Sequence, residues 1–463
     1  MKIAVIGTGY VGLVSGTCFA EWGHDVVCVD KNADKISRIN NGQLPIYEPD
    51  LDILVARNRE ADRLSFTCDL ASAITNAQVV FIAVGTPSRV GQGDADLSFV
   101  YMAAREMAPF LAEGAVVAVK STVPVGTGDA VEKIIASVCR RGSFSVASNP
   151  EFLREGVAIG DFLKPDRVVI GAEDGRARAV MLALYREPLG STPLVVTDRC
   201  TAELIKYAAN AFLATKITFI NELADLCERV GSNVGELALG IGLDKRIGNS
   251  FLNAGPGYGG SCFPKDTLAL LRIAQDYGVV LRIVEETIVA NEARKRKMAL
   301  KVVDAVGGDV DGQTIAVLGL TFKPDTDDMR EAPAVPLIET LQRYGATVRG
   351  YDPVGNENAS CVLENVALVD DPYECARDAD AVVVVTEWDS IRRIDLSRLR
   401  RVMRRPVLVD LRSAFEPGAA SAAGFRVSTI GQRPERAERL NLLTDDVDRD
   451  TSRQIRSRQV RGK

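Results

Sequence analysis

The residues best suited to chemistry stand in a glycine-rich stretch, Gly255-Pro256-Gly257-Tyr258-Gly259-Gly260-Ser261-Cys262-Phe263-Pro264-Lys265-Asp266. Four of its first six residues are glycines, which let a backbone adopt positive φ and lie close to a ligand. The stretch delivers one thiol, Cys262, followed by the ammonium of Lys265 and the carboxylate of Asp266. Because the thiolate is the reactive form and positive surroundings favour it, the stretch predicts a cysteine nucleophile. A structural cysteine that packs inward is the alternative.

A second candidate group consists of Lys206 and Asn210, within residues 198–230, a segment without Gly or Pro. Its apolar residues recur over many turns, which predicts one long helix that ends at Gly231. Residues four apart share a helix face, so the ammonium and the amide could together stabilise an oxyanion. A solvated face is the alternative. At ~1.5 Å per residue the helix approaches ~50 Å, enough to connect two domains and to pack against a second subunit.

The N-terminus predicts a dinucleotide site. A strand over residues 2–6 precedes Gly7-Thr8-Gly9-Tyr10-Val11-Gly12, which opens a helix, and a second strand ends at Asp30. In this pattern Gly7 makes the tight turn, Gly9 lets a pyrophosphate approach, and Gly12 permits close helix–strand packing. The helix N-terminus attracts the phosphates. Asp30 stands 18 residues after Gly12 and could bind a ribose diol, which favours NAD over NADP.

Polar segments follow three further predicted strands, over residues 77–84, 115–119 and 144–147. Ligands of open α/β sheets bind beyond the carboxyl ends of strands, so these segments are expected to line one cleft. A plain connecting turn is the alternative for each. The residues singled out there are Thr86, Ser121, Thr122, Glu151 and Glu155.

A second α/β unit begins after a polar, glycine-rich boundary at residues 307–312, with predicted strands at 314–319, 347–351, 381–386 and 407–410. It lacks an intact GxGxxG, so we do not expect it to bind a dinucleotide. Lys323, Arg330 and Arg412 follow its strands and could bind phosphates.

Composition excludes several classes of protein. The 463 residues carry a net charge of −6, which gives no bulk attraction to nucleic acid. No apolar run reaches the ~18 residues that span a bilayer, and no signal peptide is expected. Nine cysteines without CxxC pairs argue against a disulfide framework and a zinc site, and favour a reducing cytoplasm. The single histidine, His24, is interpreted as a turn residue, so a histidine base or a bound metal is not expected.

Taken together, the motifs resemble the UDP-glucose/GDP-mannose dehydrogenase family over about residues 1 to 430. The most specific matches are NPEFLREG, AELIKYAANAFLATKITFINE, GPGYGGSCFPKD and TFKPDTDDMRE. The resemblance implies an α/β protein with two Rossmann-like, doubly wound domains joined by a long central helix. It implies an NAD-binding domain over 1–196, a central helical and dimerisation domain over 197–306, and a UDP-sugar-binding domain over 307–432. A disordered tail is predicted over 433–463.

The resemblance also implies an activity. Family members oxidise the C6 alcohol of a nucleotide sugar to a carboxylate in two NAD-dependent steps, without releasing the aldehyde. Cys262 then captures the aldehyde, Lys206 and Asn210 stabilise the oxyanion, Glu151 is the base of thioester hydrolysis, and Thr122 and Asp266 position the water. Arg246 reaches the neighbouring subunit's substrate site, which implies at least a homodimer. The implied cofactor contacts are Gly7, Gly9, Tyr10, Val11, Gly12, Asp30, Lys35, Thr86, Ser121, Thr122, Glu155, Lys265 and Arg330. The implied substrate contacts are Glu151, Phe152, Leu153, Arg154, Lys206, Asn210, Arg246, Phe251, Tyr258, Gly259, Phe322 and Lys323.

Several alternatives stay open. Within the family, GPGYGG with Phe263 before PKD favours UDP-glucose over GDP-mannose, while N-acetyl-hexosamine nucleotides fit the cysteine loop less well. A single-step hydroxyacid dehydrogenase would share the N-terminal motif and the long helix, but it would not need Cys262. A non-enzymatic NAD sensor would need only residues 7–30.

Overall fold

The computed structural model describes residues 1–87, 95–139 and 143–432. The chain divides into two compact units. The first consists of residues 1–209 and 272–278, and the second of residues 210–271 and the chain from Val279 on. The predicted tail, 433–463, lies outside the described residues.

The first unit is built on an eight-stranded sheet with the order β3-β2-β1-β4-β5-β6-β7-β8. Neighbouring strands are parallel, except that β7 runs antiparallel to β6. The strands are β1 (Lys2–Ile6), β2 (Asp25–Val29), β3 (Leu64–Thr67), β4 (Val79–Ile82), β5 (Val116–Val119), β6 (Ser145–Ser148), β7 (Val168–Ala172) and β8 (Leu194–Thr197).

Helices cover both faces of this sheet. Ile3 and Val5 pack into one apolar cluster while Ala4 and Ile6 pack into another, because side chains alternate along a strand. Burial on both faces explains the near-continuous apolar runs of the strands. The helices are α1 (Tyr10–Glu21), α2 (Ala33–Asn40), α3 (Leu51–Glu60), α4 (Leu70–Ile74), α5 (Ser98–Met107), α6 (Thr127–Val138), α7 (Ala158–Leu163) and α8 (Gly175–Leu189), with a short 3₁₀ turn at Ala108–Phe110.

The predicted long helix is confirmed as α9 (Arg199–Val230), which has 32 residues. It ends where Gly231 takes a φ of 82°, a left-handed conformation that glycine adopts without a steric cost. Because the helix begins in the first unit and continues into the second, it carries Lys206 at the end of one unit and Asn210 at the start of the other.

The second unit contains an entirely parallel six-stranded sheet with the order β11-β10-β9-β12-β13-β14. Its strands are β9 (Thr314–Leu318), β10 (Thr347–Tyr351), β11 (Val366–Leu368), β12 (Ala381–Val384), β13 (Val407–Asp410) and β14 (Arg426–Thr429). The remaining helices are α10 (Val234–Gly242), α11 (Phe263–Asp276), α12 (Arg282–Val306), α13 (Ala334–Arg343), α14 (Asn356–Ser360), α15 (Pro372–Cys375), α16 (Asp389–Arg392), α17 (Leu396–Val402) and α18 (Ala419–Ala422).

The predicted fold class is confirmed, and most strand positions agree within two residues. The prediction was too long at residues 77–84 and 381–386, where the strands are β4 and β12. In both places the apolar run continues past the last strand residue, through Ala83 and Val84 after β4 and Val385 after β12. Within the described residues, none of the helices has the length and apolar character needed to cross a membrane.

Candidate active site

The GxGxxG turn has the geometry of a phosphate site. Gly7 has a φ of 103°, and a Cβ there would lie 2.5 Å from the Ala83 carbonyl oxygen. A Cβ on Gly12 would lie 1.9 Å from the Gly7 carbonyl oxygen. Neither position therefore has room for a side chain. A Cβ on Gly9, in contrast, would have no atom within 4 Å, so the first turn of α1 is open to a ligand.

A cavity of about 350 Å³ adjoins this turn. Asp30 stands at its wall, where its carboxylate accepts hydrogen bonds from Thr8 N (3.1 Å), Thr8 Oγ1 (2.8 Å) and Lys35 Nζ (3.0 Å). Burial raises the pKa of Asp30, but these bonds and one from Asn32 N outweigh it and hold the pKa below its ordinary value. The carboxylate is therefore ionised at neutral pH and can accept hydrogen bonds from hydroxyls. The lining residues include Gly7, Gly9, Val29, Asp30, Lys35, Cys68, Phe99 and Met102.

Tyr10 links this turn to the segment that carries Glu155. Its hydroxyl donates to Glu48, and the same carboxylate accepts from Gly156 N (2.6 Å) and Ala158 N (2.7 Å). Burial raises the pKa of Tyr10, and the hydrogen bond to Glu48 raises it further, so the phenol stays protonated. Glu48 thus fastens the loop after β6 to the start of α1.

The loops after β4 and β5 are joined by side-chain hydroxyls. Thr86 Oγ1 donates to the Thr122 carbonyl oxygen at 3.0 Å, and Ser121 Oγ donates to the Val84 carbonyl oxygen at 2.7 Å. Both hydroxyl residues are buried. The two strand ends that the sequence predicts as cleft walls therefore meet in the structure.

Glu151 and Lys206 form a buried ion pair in the first unit. Lys206 Nζ lies 3.4 Å from Glu151 Oε1, and the two side chains are 3% and 6% exposed. Glu151 Oε2 also accepts from Leu153 N at 2.5 Å. The Phe152 ring lies 5.2 Å from Lys206 Nζ and 3.5 Å from the guanidinium carbon of Arg167. A carboxylate and an ammonium are thus held together where water has little access.

Glu203, one turn before Lys206, fixes the beginning of α9. Its carboxylate accepts from Gly126 N (2.7 Å), Gly128 N (2.8 Å) and Ser148 Oγ (2.9 Å). Beside it, Thr122, Ser148, Glu203 and Lys206 help to line a cavity of about 10 Å³, close to the smallest volume that admits one water molecule.

Cys262 stands directly before the first turn of α11 in the second unit. Its carbonyl oxygen accepts from Asp266 N at 2.8 Å, and Ser261 Oγ lies 3.6 Å from its sulfur. The thiol is partly exposed. A cysteine at a helix N-terminus faces the positive end of the helix dipole, which favours the thiolate.

Asp266 connects the cysteine segment to α9. Its buried carboxylate accepts from Asn210 Nδ2 at 2.6 Å and from Lys265 Nζ at 2.6 Å. The structure therefore brings together three of the residues that the sequence singles out for chemistry.

The glycine loop before Cys262 is held by one face of α12. Asn291 accepts from Tyr258 N (2.8 Å) and donates to the Tyr258 carbonyl oxygen (3.1 Å). One turn later, Arg294 donates to the Gly255 carbonyl oxygen at 2.6 Å. Because residues three apart share a helix face, the two side chains grip the loop at two points.

The segment after β9 packs on the same loop. A Cβ on Gly260 would lie 2.7 Å from the Phe322 ring, so only glycine fits. Arg412 donates to the Phe322 carbonyl oxygen at 3.2 Å and lies against Gly255. The Phe251 ring, on a residue with a φ of 64°, lies 6.0 Å from the Phe263 ring.

The side chains of three predicted arginines pair with nearby carboxylates, although the Arg330 carbonyl oxygen accepts from Gly260 N of the glycine loop at 2.9 Å. The Arg154 side chain is 59% exposed and binds Asp161, that of Arg246 is 89% exposed and binds Asp244, and that of Arg330 is 64% exposed and binds Asp328. The roles predicted for them therefore stay predictions.

Comparison with known proteins decides the family. Residues 1–189 match the NAD binding domain of the UDP-glucose/GDP-mannose dehydrogenase family, residues 200–293 its central domain and residues 316–417 its UDP binding domain. The chain belongs to this family.

Individual members of the family are similar over nearly their whole length. A UDP-glucose 6-dehydrogenase of Rhizobium meliloti is 59% identical, over 94% of this chain and 100% of that protein. UDP-glucose 6-dehydrogenase TuaD of Bacillus subtilis is 48% identical, over 93% of both chains. A solved UDP-glucose dehydrogenase from Pyrobaculum islandicum superposes with a TM-score of 0.83 at 40% identity, covering 90% of this chain and 97% of that one.

The family's cofactor, NAD, suits the cavity beside the GxGxxG turn. The open backbone at Gly9 can receive a pyrophosphate, the ionised Asp30 can accept from a ribose diol, and Phe99 and Met102 offer apolar surface to a base. The groups that line this cavity of the first unit therefore fit a dinucleotide.

Sequence reasoning missed the residues whose contacts hold these segments in place, namely Glu48, Glu203, Asn291 and Arg294. Of these, only Glu203 lies in a motif quoted above, AELIKYAANAFLATKITFINE. Glu203 could have been singled out from the sequence, because it precedes Lys206 by three residues and so shares its helix face.

Proposed function

We propose that this chain is an NAD-dependent UDP-glucose 6-dehydrogenase, which oxidises the C6 alcohol of UDP-glucose to the carboxylate of UDP-glucuronate. The observation that carries the proposal is Cys262, placed at the N-terminus of α11 on a clamped glycine loop, in a family member whose relatives bear that name. A dehydrogenase that stops at the aldehyde would not need this thiol.

In the first oxidation, the Glu151–Lys206 pair is proposed to accept the proton of the C6 hydroxyl, directly or through a water molecule. The pair is buried, so the proton moves where bulk water has little access. NAD, when bound, would supply the hydride acceptor, one molecule for each of the two oxidations.

In the second oxidation, the Cys262 thiolate adds to the aldehyde carbon and forms a C–S bond. The aldehyde oxygen becomes an oxyanion, which Lys206 and Asn210 are proposed to stabilise from one face of α9. Loss of the second hydride from C6 then converts the thiohemiacetal into a thioester. Covalent capture keeps the aldehyde in place between the two oxidations.

Hydrolysis completes the reaction. A water molecule adds to the thioester carbon, the C–S bond breaks, and the carboxylate leaves while Cys262 returns as the thiol or thiolate. Thr122 and Asp266 are proposed to position this water and Glu151 to take its proton. The contacts of Asp266 with Asn210 and Lys265 support a fixed carboxylate in that role.

The second unit is proposed to bind the nucleotide sugar. Phe322 and Arg412 already pack on the glycine loop, and Lys323 follows Phe322 with its Nζ 5.7 Å from that ring, so it is proposed as the diphosphate contact. The exposed Arg246 is proposed to reach the substrate site of a second subunit, in at least a homodimer. Within the described residues no two cysteines form a disulfide, which suits a reducing cytoplasm.

A panel of UDP- and GDP-sugars assayed with NAD tests this proposal. We expect kcat/KM for UDP-glucose to exceed that for GDP-mannose and for UDP-N-acetyl-hexosamines by at least roughly 100-fold. A preference for GDP-mannose would establish the alternative family member. Cys262→Ser should stall after the first oxidation or at an ester, whereas near-normal steady-state turnover would remove the thiol from the mechanism.

A further inference from the structure

Lys120 is a buried lysine beside the proposed site that the mechanism above does not use. It follows the last residue of β5 and precedes Ser121 and Thr122. The residue is 3% exposed. Within the described residues its ammonium has no ion pair with a carboxylate, and burying such a cation is costly, so its retention calls for a reason.

The ammonium of Lys120 is held by neutral groups. Nζ donates to Asn149 Oδ1 at 3.1 Å and to the Tyr185 hydroxyl at 3.4 Å. The rings of Phe81, Phe162 and Tyr185 surround it, with centroids 5.6, 5.7 and 5.9 Å away. Aromatic faces stabilise a cation but leave its charge uncancelled, so the field of Lys120 extends to its neighbours.

Asn149 connects Lys120 to the loop that carries Glu151. The Asn149 amide donates to the Val169 carbonyl oxygen at 2.8 Å, and its oxygen also accepts from the Tyr185 hydroxyl at 2.6 Å. Glu151 follows two residues later and meets Lys206 at 3.4 Å. Lys120 therefore joins the strand end that carries Thr122 to the strand end that carries Glu151.

From this cluster we propose that Lys120 is a positioning residue that fixes the loop of Glu151 and, through its unpaired charge, sets the protonation of the Glu151–Lys206 pair. The inference deepens the proposed function and rests on it.

The electrostatics of the cluster support this role. Burial lowers the pKa of Lys120 to about 8, Glu151 opposes that shift, and Lys206 adds to it. Such couplings are mutual, so the charge of Lys120 attracts the Glu151 carboxylate and repels the Lys206 ammonium. Tyr185, the remaining titratable group against Lys120, has a pKa raised by burial and stays neutral.

The decisive variant is Lys120→Met, which keeps the length of the side chain and removes its charge. Asn149 Oδ1 keeps its bond from the Tyr185 hydroxyl, which itself loses only the 3.4 Å bond from Lys120, so this variant is expected to fold. Lys133→Met, at an exposed position on α6, is the matched control.

The measurement is kcat as a function of pH with saturating UDP-glucose and NAD, beside thermal unfolding of each variant. For Lys120→Met we expect kcat at pH 7 to fall about 10-fold. We also expect the acid limb of the kcat–pH profile, where kcat falls as the pH is lowered, to shift to higher pH by about one pH unit. The alkaline limb should move less, because wild-type Lys120 itself loses charge near pH 8. Lys133→Met should keep the wild-type profile.

A Lys120→Met profile with both limbs in the wild-type position, at any kcat, would overturn the inference and leave Lys120 a structural residue. Asn149→Asp provides a second test, because it sets a carboxylate against Lys120 and cancels its field without removing it. We expect the same upward move of the acid limb, and an unmoved limb would again overturn the inference. Wild-type protein that does not oxidise UDP-glucose would overturn the proposed function instead, and the profiles would then be measured with the nucleotide sugar that it does oxidise.

Discussion

The two sheets of this chain share the order of their first four strands, but the acidic residue after the second strand has a different environment in each. In each, the first strand of the motif lies between the second strand and the fourth, in the arrangements β3-β2-β1-β4 and β11-β10-β9-β12. Each first strand ends in a glycine of positive φ, Gly7 at 103° and Gly319 at 82°. In each, a Cβ on that glycine would lie 2.5 Å from a carbonyl oxygen.

The two units differ in the environment of the acidic residue that follows the second strand of each motif. Asp30 lines an open cavity, and its side chain is 16% exposed. Asp352 is 2% exposed, and its carboxylate accepts from Leu320 N (2.8 Å), Thr321 Oγ1 (3.0 Å) and Trp388 Nε1 (3.2 Å). It also accepts from Thr321 N, Val354 N and Gly355 N. One carboxylate faces a ligand cavity, and the other ties two loops together.

This difference explains why one topology carries two roles. The second unit lacks the second and third glycines of the motif, where Thr321 and Pro324 stand, and its acid is bonded to its own backbone and to Trp388. The same strand order is therefore found with an acid at a cavity wall in one unit and with a buried acid in the other.

The largest predicted effect is on folding. Asp352→Ala would leave several buried donors without an acceptor, so we expect the free energy of unfolding to fall by about 3 kcal/mol. Asp30→Ala should cost about 1 kcal/mol, because solvent reaches the cavity wall. Denaturant unfolding of both variants measures the two values. Equal losses of unfolding free energy in the two variants would show that the two acids contribute equally to stability, contrary to this prediction.

The next effect concerns NAD. Asp30→Ala should raise KM for NAD at least roughly tenfold and leave KM for UDP-glucose within about twofold, since the variant removes a ribose acceptor. Initial rates at varied NAD and fixed sugar give both constants. An unchanged KM for NAD would remove Asp30 from the cofactor site.

The converse effect is expected in the second unit. Lys323→Ala should raise KM for UDP-glucose by roughly tenfold, as for one lost charge-assisted contact to a phosphate, without altering KM for NAD. Lys297→Ala, which removes an exposed lysine of α12, is the matched control. A rise in KM for NAD in the Lys323 variant would contradict the division of labour between the units.

The smallest effect is on the pH dependence of stability. The pKa of Asp30 in the folded chain lies below its ordinary value, so the carboxylate stabilises the fold above the unfolded pKa of about 3.9. That contribution is lost as pH falls through the folded pKa. Thermal unfolding of wild type and Asp30→Asn should differ at pH 5 to 6 and converge below about pH 4. A difference that grows on acidification would contradict the sign.

Much of this fold could be predicted from local sequence, because its signals are local. The spacing of Gly7, Gly9 and Gly12 reports a turn that forms within one strand–helix unit, and α9 is readable from 32 residues without Gly or Pro. The cysteine loop was visible because its glycines and its thiol are neighbours in the chain.

The residues that hold the site were not readable, because their contacts join distant segments. Glu203 binds the backbone of Gly128, 75 residues earlier, and Arg294 binds that of Gly255, 39 residues earlier. In the sequence, Arg294 stands among charged residues of α12 and resembles a solvated face. Lys120 follows an apolar strand, and its burial depends on aromatic rings from three other elements.

In the proposed mechanism, one cysteine allows two oxidations of one substrate. The stoichiometry is measured as the amount of NADH formed when a limiting, known amount of UDP-glucose is consumed completely with excess NAD. We predict two NADH per UDP-glucose, with UDP-glucuronate as the product and no free aldehyde. One NADH per UDP-glucose, with an aldehyde that a hydrazine reagent traps, would contradict the account.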